Sequence, residues 1–356
     1  MLLKTSLHAS HIALGAKMGE FAGYDMPLYY KDGVMKEHEW VRKSAGLFDV
    51  SHMGQVIIEG PEDDIAAFWE RMTPSAFKNA KDSAAKYTVL TNEKGGIIDD
   101  LIVTRITGNK FFAVLNAGRK NVDLQWLRTH LPQSLKLDYL EEKSLIALQG
   151  PKAEGAMRDI FGLDLSAQDY MTLREMQLDG VKCFISRLGY TGEDGFEISV
   201  PAKNAVTVWD KLLAHVDVKP IGLAARDSLR LEMGYPLYGH DIDETTTPVE
   251  ASLTWIMREK GTGGARRRVG IRLLDKGIAR EGAEIKDSSG KKIGALTSGG
   301  FSPTLKESIG QGYVETSSAA VGTKVFVRVR DRDIAAEISA MPFVPAKTKM
   351  KKKKAA

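Results

Sequence analysis

The run KYTVLTNEKGGIIDDLIVTRI, residues 86–106, holds two β-prone stretches on either side of Gly95 and Gly96, and it reads as a hairpin turning at the glycines. Two acids, Asp99 and Asp100, stand inside IIDDLIV, a run apolar enough to be buried. The period-two geometry of a strand sends them to opposite faces, Asp100 with Ile98 and Ile102, Asp99 with Ile97 and Leu101. Neither face is an obvious solvent face, and a carboxylate buried in an apolar strand costs free energy unless it is paired or put to use. A four-residue loop, Glu93 to Gly96, sets Tyr87 across from Ile102 on the face of Asp100. A five-residue loop beginning at Asn92 puts Tyr87 on the face of Asp99 instead. Both registers are open to the sequence, as is the plainer role of a carboxylate that caps a turn or a backbone amide.

Working outward, GQVIIEG (residues 54–60) reads as a strand. PEDDIAAFWERM (61–72) reads as an amphipathic helix, with Pro61 and the acids suited to its start. Strand and helix signals alternate irregularly to about 230, and from 266 the pattern is β-rich with turns such as DSSG and SGGFSP. The class is mixed α+β without a regular βαβ rhythm. The break EKGTGGARRR marks a boundary before the last part.

Two further constellations bear polar groups. In RLGYTGEDGFEISV, Gly192 and Gly195 bracket a turn, and Glu197 faces away from the apolar row Phe196, Ile198 and Val200. That orientation suits either a solvent-exposed acid or an acid lining a polar pocket. In GLAARDSLRLEMG, Arg226 and Arg230 share a helical face, which an ordinary amphipathic helix with salt-bridged arginines also explains, and Gly234 stops the helix. His52, in DVSHMG, is the histidine in the most suggestive setting, with a turn or core role as its plain reading. No phosphate loop, HExxH zinc motif, GxSxG elbow or strand-to-helix GxGxxG element is present, and the seven histidines lack metal spacing, so no metal is expected.

Of the net charge of +4, six lysines of the last ten residues account for more than the whole, leaving −2 for the rest. Residues 346–356 read as a basic, solvated tail. No basic patch interleaved with aromatics points to nucleic acid, and no stretch approaches the length of a membrane span. The lone Cys183, in the alternating VKCFI, reads as a buried strand residue. A reducing compartment fits: the cytoplasm of a bacterium, or the mitochondrial matrix of a eukaryote.

GAKM and FAGYDMPLYY, then GLFDVSHMG, NEKGGIIDDLIV, LQGPKA, GYTGEDGFE, GLAARDSLRLE, YGHDIDETTTPVE, TSGGFSPTL and MPFVP follow one another from about Thr5 to Pro345. In that order they resemble the glycine cleavage T-proteins. The resemblance implies a three-domain cloverleaf around a central folate channel with a C-terminal β-rich domain. We expect residues 1–51 with 138–225 in the first domain, 52–137 with 226–265 in the second, and 266–345 in the third. It implies aminomethyltransferase activity in glycine catabolism: a lipoyl arm of H-protein presents an aminomethyl group, tetrahydrofolate takes its carbon, and ammonia is released.

Matching motif to motif, the resemblance puts Asp100 at the reacting nitrogens and Glu197 on the pterin edge. It sets Tyr87, Tyr190 and Tyr235 along the folate channel, with Arg226 in the same site and Asn116 near the pterin. Two departures stand out. Met171 follows Tyr170 where some relatives have a further tyrosine, and only GTGGA joins ASLTWIMREK to the third domain, where relatives carry a longer segment. The competing readings are a folate-dependent demethylase of a methylated amine or sulfur compound, and a non-catalytic folate-binding protein. The K-G-C-x-x-G-Q-E motif of the latter kind is missing.

Overall fold

A computed structural model describes residues 1–349. Two sheets and a barrel organise the chain. The first sheet runs in the order Thr172–Leu178, Val181–Arg187, Gly195–Pro201, Lys143–Gln149, Ala45–Asp49, Val218–Pro220, with only the last pair parallel. The second is antiparallel throughout, in the order Ala85–Thr91, Ile97–Thr107, Lys110–Leu115, Gly54–Glu59, Lys136–Tyr139. Six strands from Arg266–Leu273 to Arg332–Ser339 close into the barrel, packed inside by Ile271, Ile285, Leu296, Val327 and Ile338. The class is therefore α+β with a C-terminal β-barrel.

Alternation along the strands explains how the two sheets meet. Leu47, Ile146, Leu148, Phe196 and Ile198 point outward under the helices Ala153–Phe161 and Ala202–Leu213, with Cys183 among them. Val56, Ile58, Phe111 and Ala113 of the second sheet likewise point outward, under Glu62–Met72 and Lys120–His130. The alternate residues, Phe48, Leu145 and Ala147 against Ile57, Phe112 and Val114, face one another and form a shared core. The molecule thus has helices outside and two sheets inside, and any polar residue on an inner face looks into the gap between them. The helices Val34–Lys43 and Leu223–Glu232 add Val41, Ala225 and Leu229 to the same core.

The hairpin takes the register of the shorter loop, with Tyr87 opposite Ile102 and Val89 opposite Asp100. Near the turn a bulge intervenes. Leu90 pairs with Asp99 and Thr91 with Ile97, so Ile98 is the extra residue. The expected faces of the two isoleucines are exchanged as a result: Ile97 joins Val89, on the side of Tyr87, and Ile98 joins Leu101 on the outer side. Asp99 and Asp100 keep opposite faces.

Three boundaries differ from expectation. The strand Lys136–Tyr139 straddles residue 138 and belongs to the second sheet, because it pairs with Gly54–Glu59. The helix Leu223–Glu232, placed from 226 onward in the second domain, packs on Val34–Lys43 and on the barrel strand Lys292–Ser302. Its Glu232 binds Arg42 at 2.7 Å and Ser302 at 2.5 Å, tying both neighbours to it. The basic tail begins later than 346. Lys347 donates its backbone N–H to Gly192 at 2.7 Å and its ammonium approaches Glu193 at 3.3 Å, while Lys349 lies 3.3 Å from Glu154. Residues 350–356 lie outside the described residues.

Gly96 locks the hairpin turn to the segment after the helix Leu223–Glu232. A Cβ there would lie 1.9 Å from the carbonyl oxygen of Glu244, a backbone atom with no freedom to swing away. Ile97 N–H donates to the carbonyls of Asp243 and Thr246, and Asn92 Nδ2 to that of Glu244. Gly96→Ala is expected to lower the free energy of unfolding by about 1–3 kcal/mol, the usual cost of overpacking, as read by urea denaturation. A midpoint equal to that of the parent chain would show that the Glu244 segment yields freely.

Candidate functional site

A cavity of about 1600 Å³ opens between the two sheets and the barrel. The second sheet contributes Tyr87, Asp100, Ile102 and Val114, the first sheet Glu197, and the helix Leu223–Glu232 contributes Arg226. Arg267, Val269 and Met341 come from the barrel side. All seven residues singled out from the sequence, Tyr87, Asp100, Asn116, Tyr190, Glu197, Arg226 and Tyr235, line this one space.

Asp100 is the best-held of them. Its Oδ1 accepts from Asn116 Nδ2 at 2.8 Å and its Oδ2 from the Tyr87 hydroxyl at 3.0 Å. Asn116 follows the strand Lys110–Leu115, and its Nδ2 also reaches Asp99 Oδ1 at 3.0 Å. Burial, then the negative charge of Asp99, pushes the Asp100 carboxyl up to about 7. The Tyr87 and Asn116 donors oppose that rise by favouring the carboxylate. The group is thus poised to exchange its charge near neutrality. Tyr87 stacks on Trp255, with ring centroids 5.7 Å apart.

Glu197 lies on the inner face of the first sheet, beside Ala147 and Ser186, where burial raises its carboxyl and Arg226 lowers it. Of the two placements open to the sequence, the structure takes the pocket, because the second sheet covers the face that the apolar row leaves free. Arg226 and Arg230 divide where the sequence pairs them. Arg230 is salt-bridged to Asp241 and Asp227, both at 2.8 Å. Arg226 lies over the Tyr190 ring at 4.8 Å, and its Nη1 is buried without a partner among the described residues. An unpaired guanidinium N–H at a cavity wall calls for an acceptor from a ligand. Tyr190 stacks on Tyr235 at 5.6 Å, and its hydroxyl donates to the Pro236 carbonyl.

Several lining residues lie outside the seven singled out from the sequence. His52 is 4% exposed with Nδ1 unpartnered among the described residues, and it lines the cavity where a turn or core place was expected. Burial pushes its ring down to about 4, so it is neutral at physiological pH. Tyr170 and Met171 both line the cavity, so an aromatic group stands beside the methionine that departs from some relatives. Trp255 is 69% exposed, and the signal that would have found it was a tryptophan with no helix face to bury it. Among the described residues no group of His, Cys, Asp and Glu could hold a metal ion, and no helix is long and apolar enough to cross a membrane.

Comparison with known proteins accounts for this arrangement. The GCVT N-terminal domain model matches residues 7–260, and the glycine cleavage T-protein C-terminal barrel domain model matches 266–345. A mitochondrial aminomethyltransferase of Dictyostelium discoideum is 42% identical over 382 aligned positions, covering 98% of this chain and 94% of that protein. An aminomethyltransferase of Thermosipho melanesiensis is also 42% identical, covering 98% and 99%. The crystal structure of the glycine cleavage system aminomethyltransferase T from Bartonella henselae superposes with a TM-score of 0.91 at 39% identity, covering 98% of this chain and 99% of that one. With both family domains in order along its length and the fold shared with a solved member, the chain belongs to the glycine cleavage T-protein family.

Proposed function

We propose that the chain is the tetrahydrofolate-dependent aminomethyltransferase of glycine cleavage. It takes an aminomethyl group from the lipoyl arm of H-protein and yields methylenetetrahydrofolate, ammonia and the dihydrolipoyl carrier. The observation that carries the reading is the placing of Asp100 and Glu197 on facing sheets of one cavity, with Arg226, whose Nη1 has no partner among the described residues, in its wall. A pterin is planar, and its amino and ring N–H edge offers paired donors that a carboxylate accepts. Glu197 is the acceptor for that edge. Tyr190 and Tyr235, already stacked, supply a flat apolar wall.

The aminomethyl carbon must meet a folate nitrogen in a narrow geometry, so orientation supplies much of the rate. As the carbon leaves sulfur it gains cationic, iminium-like character, and the buried Asp100 carboxylate stabilises that charge. Tyr87 and Asn116 fix both of its oxygens, so no reorganisation is needed when the charge develops. H-protein is the carrier in this reading, and the compartment is wherever glycine cleavage runs, bacterial cytoplasm or mitochondrial matrix. A folate-dependent demethylase would share the pocket and differ in its donor, so the assay begins with the donor. Ammonia formed from aminomethylated H-protein only when tetrahydrofolate is present supports the reading. Folate binding without that turnover would move the chain to another donor.

Asp100→Asn is expected to keep the fold and folate binding while turnover falls roughly 100-fold or more, the scale of a lost electrostatic stabiliser. Unchanged turnover would remove Asp100 from the chemistry. Because the acting form is the carboxylate and its pKa is raised to about 7, kcat/KM of the parent chain should fall as pH drops through 7. The sign for stability is opposite. A carboxyl whose folded pKa lies above its unfolded value stabilises the fold below the unfolded pKa, and that contribution is lost as pH rises through about 7. Asp100→Asn should therefore raise Tm at pH 8.

Glu197→Gln replaces a charged acceptor by a neutral one on the pterin edge. Folate binding should weaken roughly 10- to 100-fold, the worth of one charge-assisted hydrogen bond, as titrated by calorimetry or fluorescence. An unchanged Kd would take Glu197 off the pterin.

A further inference from the structure

Behind Asp100, away from the cavity, lies a third buried acid. Asp123 stands in the first turn of the helix Lys120–His130, is 0% exposed, and neither of its carboxyl oxygens meets a donor among the described residues. Acids in a first helical turn normally face water, where the helix dipole helps them stay ionised. This one faces the outer side of the second sheet and comes within hydrogen-bonding reach of the Asp99 carboxyl, itself 0% exposed. Two carboxylates cannot both be ionised at that distance in a dry site, so one proton must be held between them.

The hydrogen bonds say which acid holds it. Asp99 accepts twice from Asn116, from its Nδ2 at 3.0 Å and its backbone N–H at 3.1 Å, and an acceptor of two donors is the better anion. Asp123 has no such donors. Burial and the Asp99 charge push its carboxyl up to about 10. The other charged and titratable groups nearby are Asp100 on the same strand as Asp99 and Arg119 at the start of the helix. Tyr87 bonds Asp100. Tyr238 and Glu244 engage Arg119, whose guanidinium donates to the Ile98 carbonyl at 2.9 Å and to Glu244 at 2.5 Å rather than to Asp123.

We propose that Asp123 is a positioning residue. It keeps its proton, donates it to Asp99, and so leaves Asp99 a single anion whose grip on Asn116 sets the place and the charge of Asp100. The chain of contacts is continuous: Asp123 to Asp99, Asp99 to Asn116, and Asn116 Nδ2 to Asp100 Oδ1 at 2.8 Å. A proton fixed on Asp123 makes the pair carry one charge instead of two. Asp99 then raises Asp100 toward neutrality without preventing it from ionising. The inference rests on the role given to Asp100 above, and it has a readout that does not.

That readout is the infrared carbonyl band of a protonated carboxyl. At pH 8, above the range of Asp100, the parent chain should show such a band, and Asp123→Asn should lack it. No protonated carboxyl at pH 8, or a band that survives Asp123→Asn unchanged, overturns the proposal. In the reaction, Asp123→Asn keeps a neutral group with a donor. Its turnover should stay within about twofold, with the acid limb of the kcat/KM profile unmoved. Asp99→Asn removes the anion beside Asp100 and should shift that limb down by about one pH unit or more. Asp123→Leu has the size but no donor, and kcat should fall about tenfold or more with KM for folate little changed. A limb that moves down in Asp123→Asn as it does in Asp99→Asn would mean that Asp123 is charged in the parent chain, and a Leu variant with parental kcat would mean that it positions nothing. If the Leu variant does not fold, the infrared band and the Asn variant decide. Failure of the catalytic reading itself shows elsewhere, as full turnover in Asp100→Asn.

Discussion

A carboxylate in the gap between two packed sheets must be given its hydrogen bonds by the fold, and the rest of this structure follows from how Asp100 receives them. One oxygen is met from its own hairpin, by Tyr87, and the other by Asn116 from the next strand. Both donors depend on register. Tyr87 reaches Asp100 because it sits across from Ile102 and two residues from Val89, and a slip by one residue would turn it to the helices. The register is in turn held at the turn, where Gly96 abuts the Glu244 carbonyl and Ile97 donates to Asp243 and Thr246. The site is thus pinned by backbone contacts some distance from its own chemistry.

The barrel is held by a different device. Glu232, wholly buried, binds His38 and Arg42 of one helix and Ser302 and Thr304 of the barrel. Asp241 similarly gathers Arg230, Ser298 and Gln311. Buried ion pairs of this kind add little net stability, because desolvation offsets the attraction, but losing one partner strands a charge. Such a joint tolerates few orientations. That matters here because the cavity takes wall residues from both sheets and from the barrel, so a rotated barrel would change its shape. The GTGGA connection before the barrel bears little of this load, which falls on the network around the helix Leu223–Glu232.

Much of this was legible in the sequence, and the exceptions share a cause. The hairpin, the helix at 61–72, the β-rich third unit and the buried Cys183 followed from local patterns. Glu197 was correctly turned away from Phe196, Ile198 and Val200, yet whether that side met water or a pocket depended on which sheet covered it, a long-range fact. Arg226 and Arg230 are alike on a helical wheel, and contacts with Asp227 on the same helix and with Asp241 beyond it are what set Arg230 apart. The bulge at Ile98 exchanged two isoleucines without altering composition or alternation, so nothing in the string of letters marked it. Asp123, in KNVDLQWLRTH, looks like any acid on a solvated helix face. Its burial comes from the sheet beneath, and with it the meaning of Asp99.

The charges of the cavity are arranged so that each is left incomplete until something binds. Asp100 and Glu197 both hold their protons more tightly than free carboxyls do, and Arg226 Nη1 has no acceptor among the described residues. A ligand that brings N–H donors to the acids lowers their pKa, and one that brings a carbonyl to Arg226 relieves its desolvation. Binding is therefore linked to proton release: the two equilibria share their free energy, and affinity must rise with pH across the range in which the acids titrate. A pterin edge has both kinds of group on one plane, whereas a simple anion would satisfy Arg226 and be repelled by the acids. The discrimination needs no dedicated gate. It lies in placing two carboxyls of raised pKa and the Arg226 guanidinium around the same flat space, with His52 held neutral beside them.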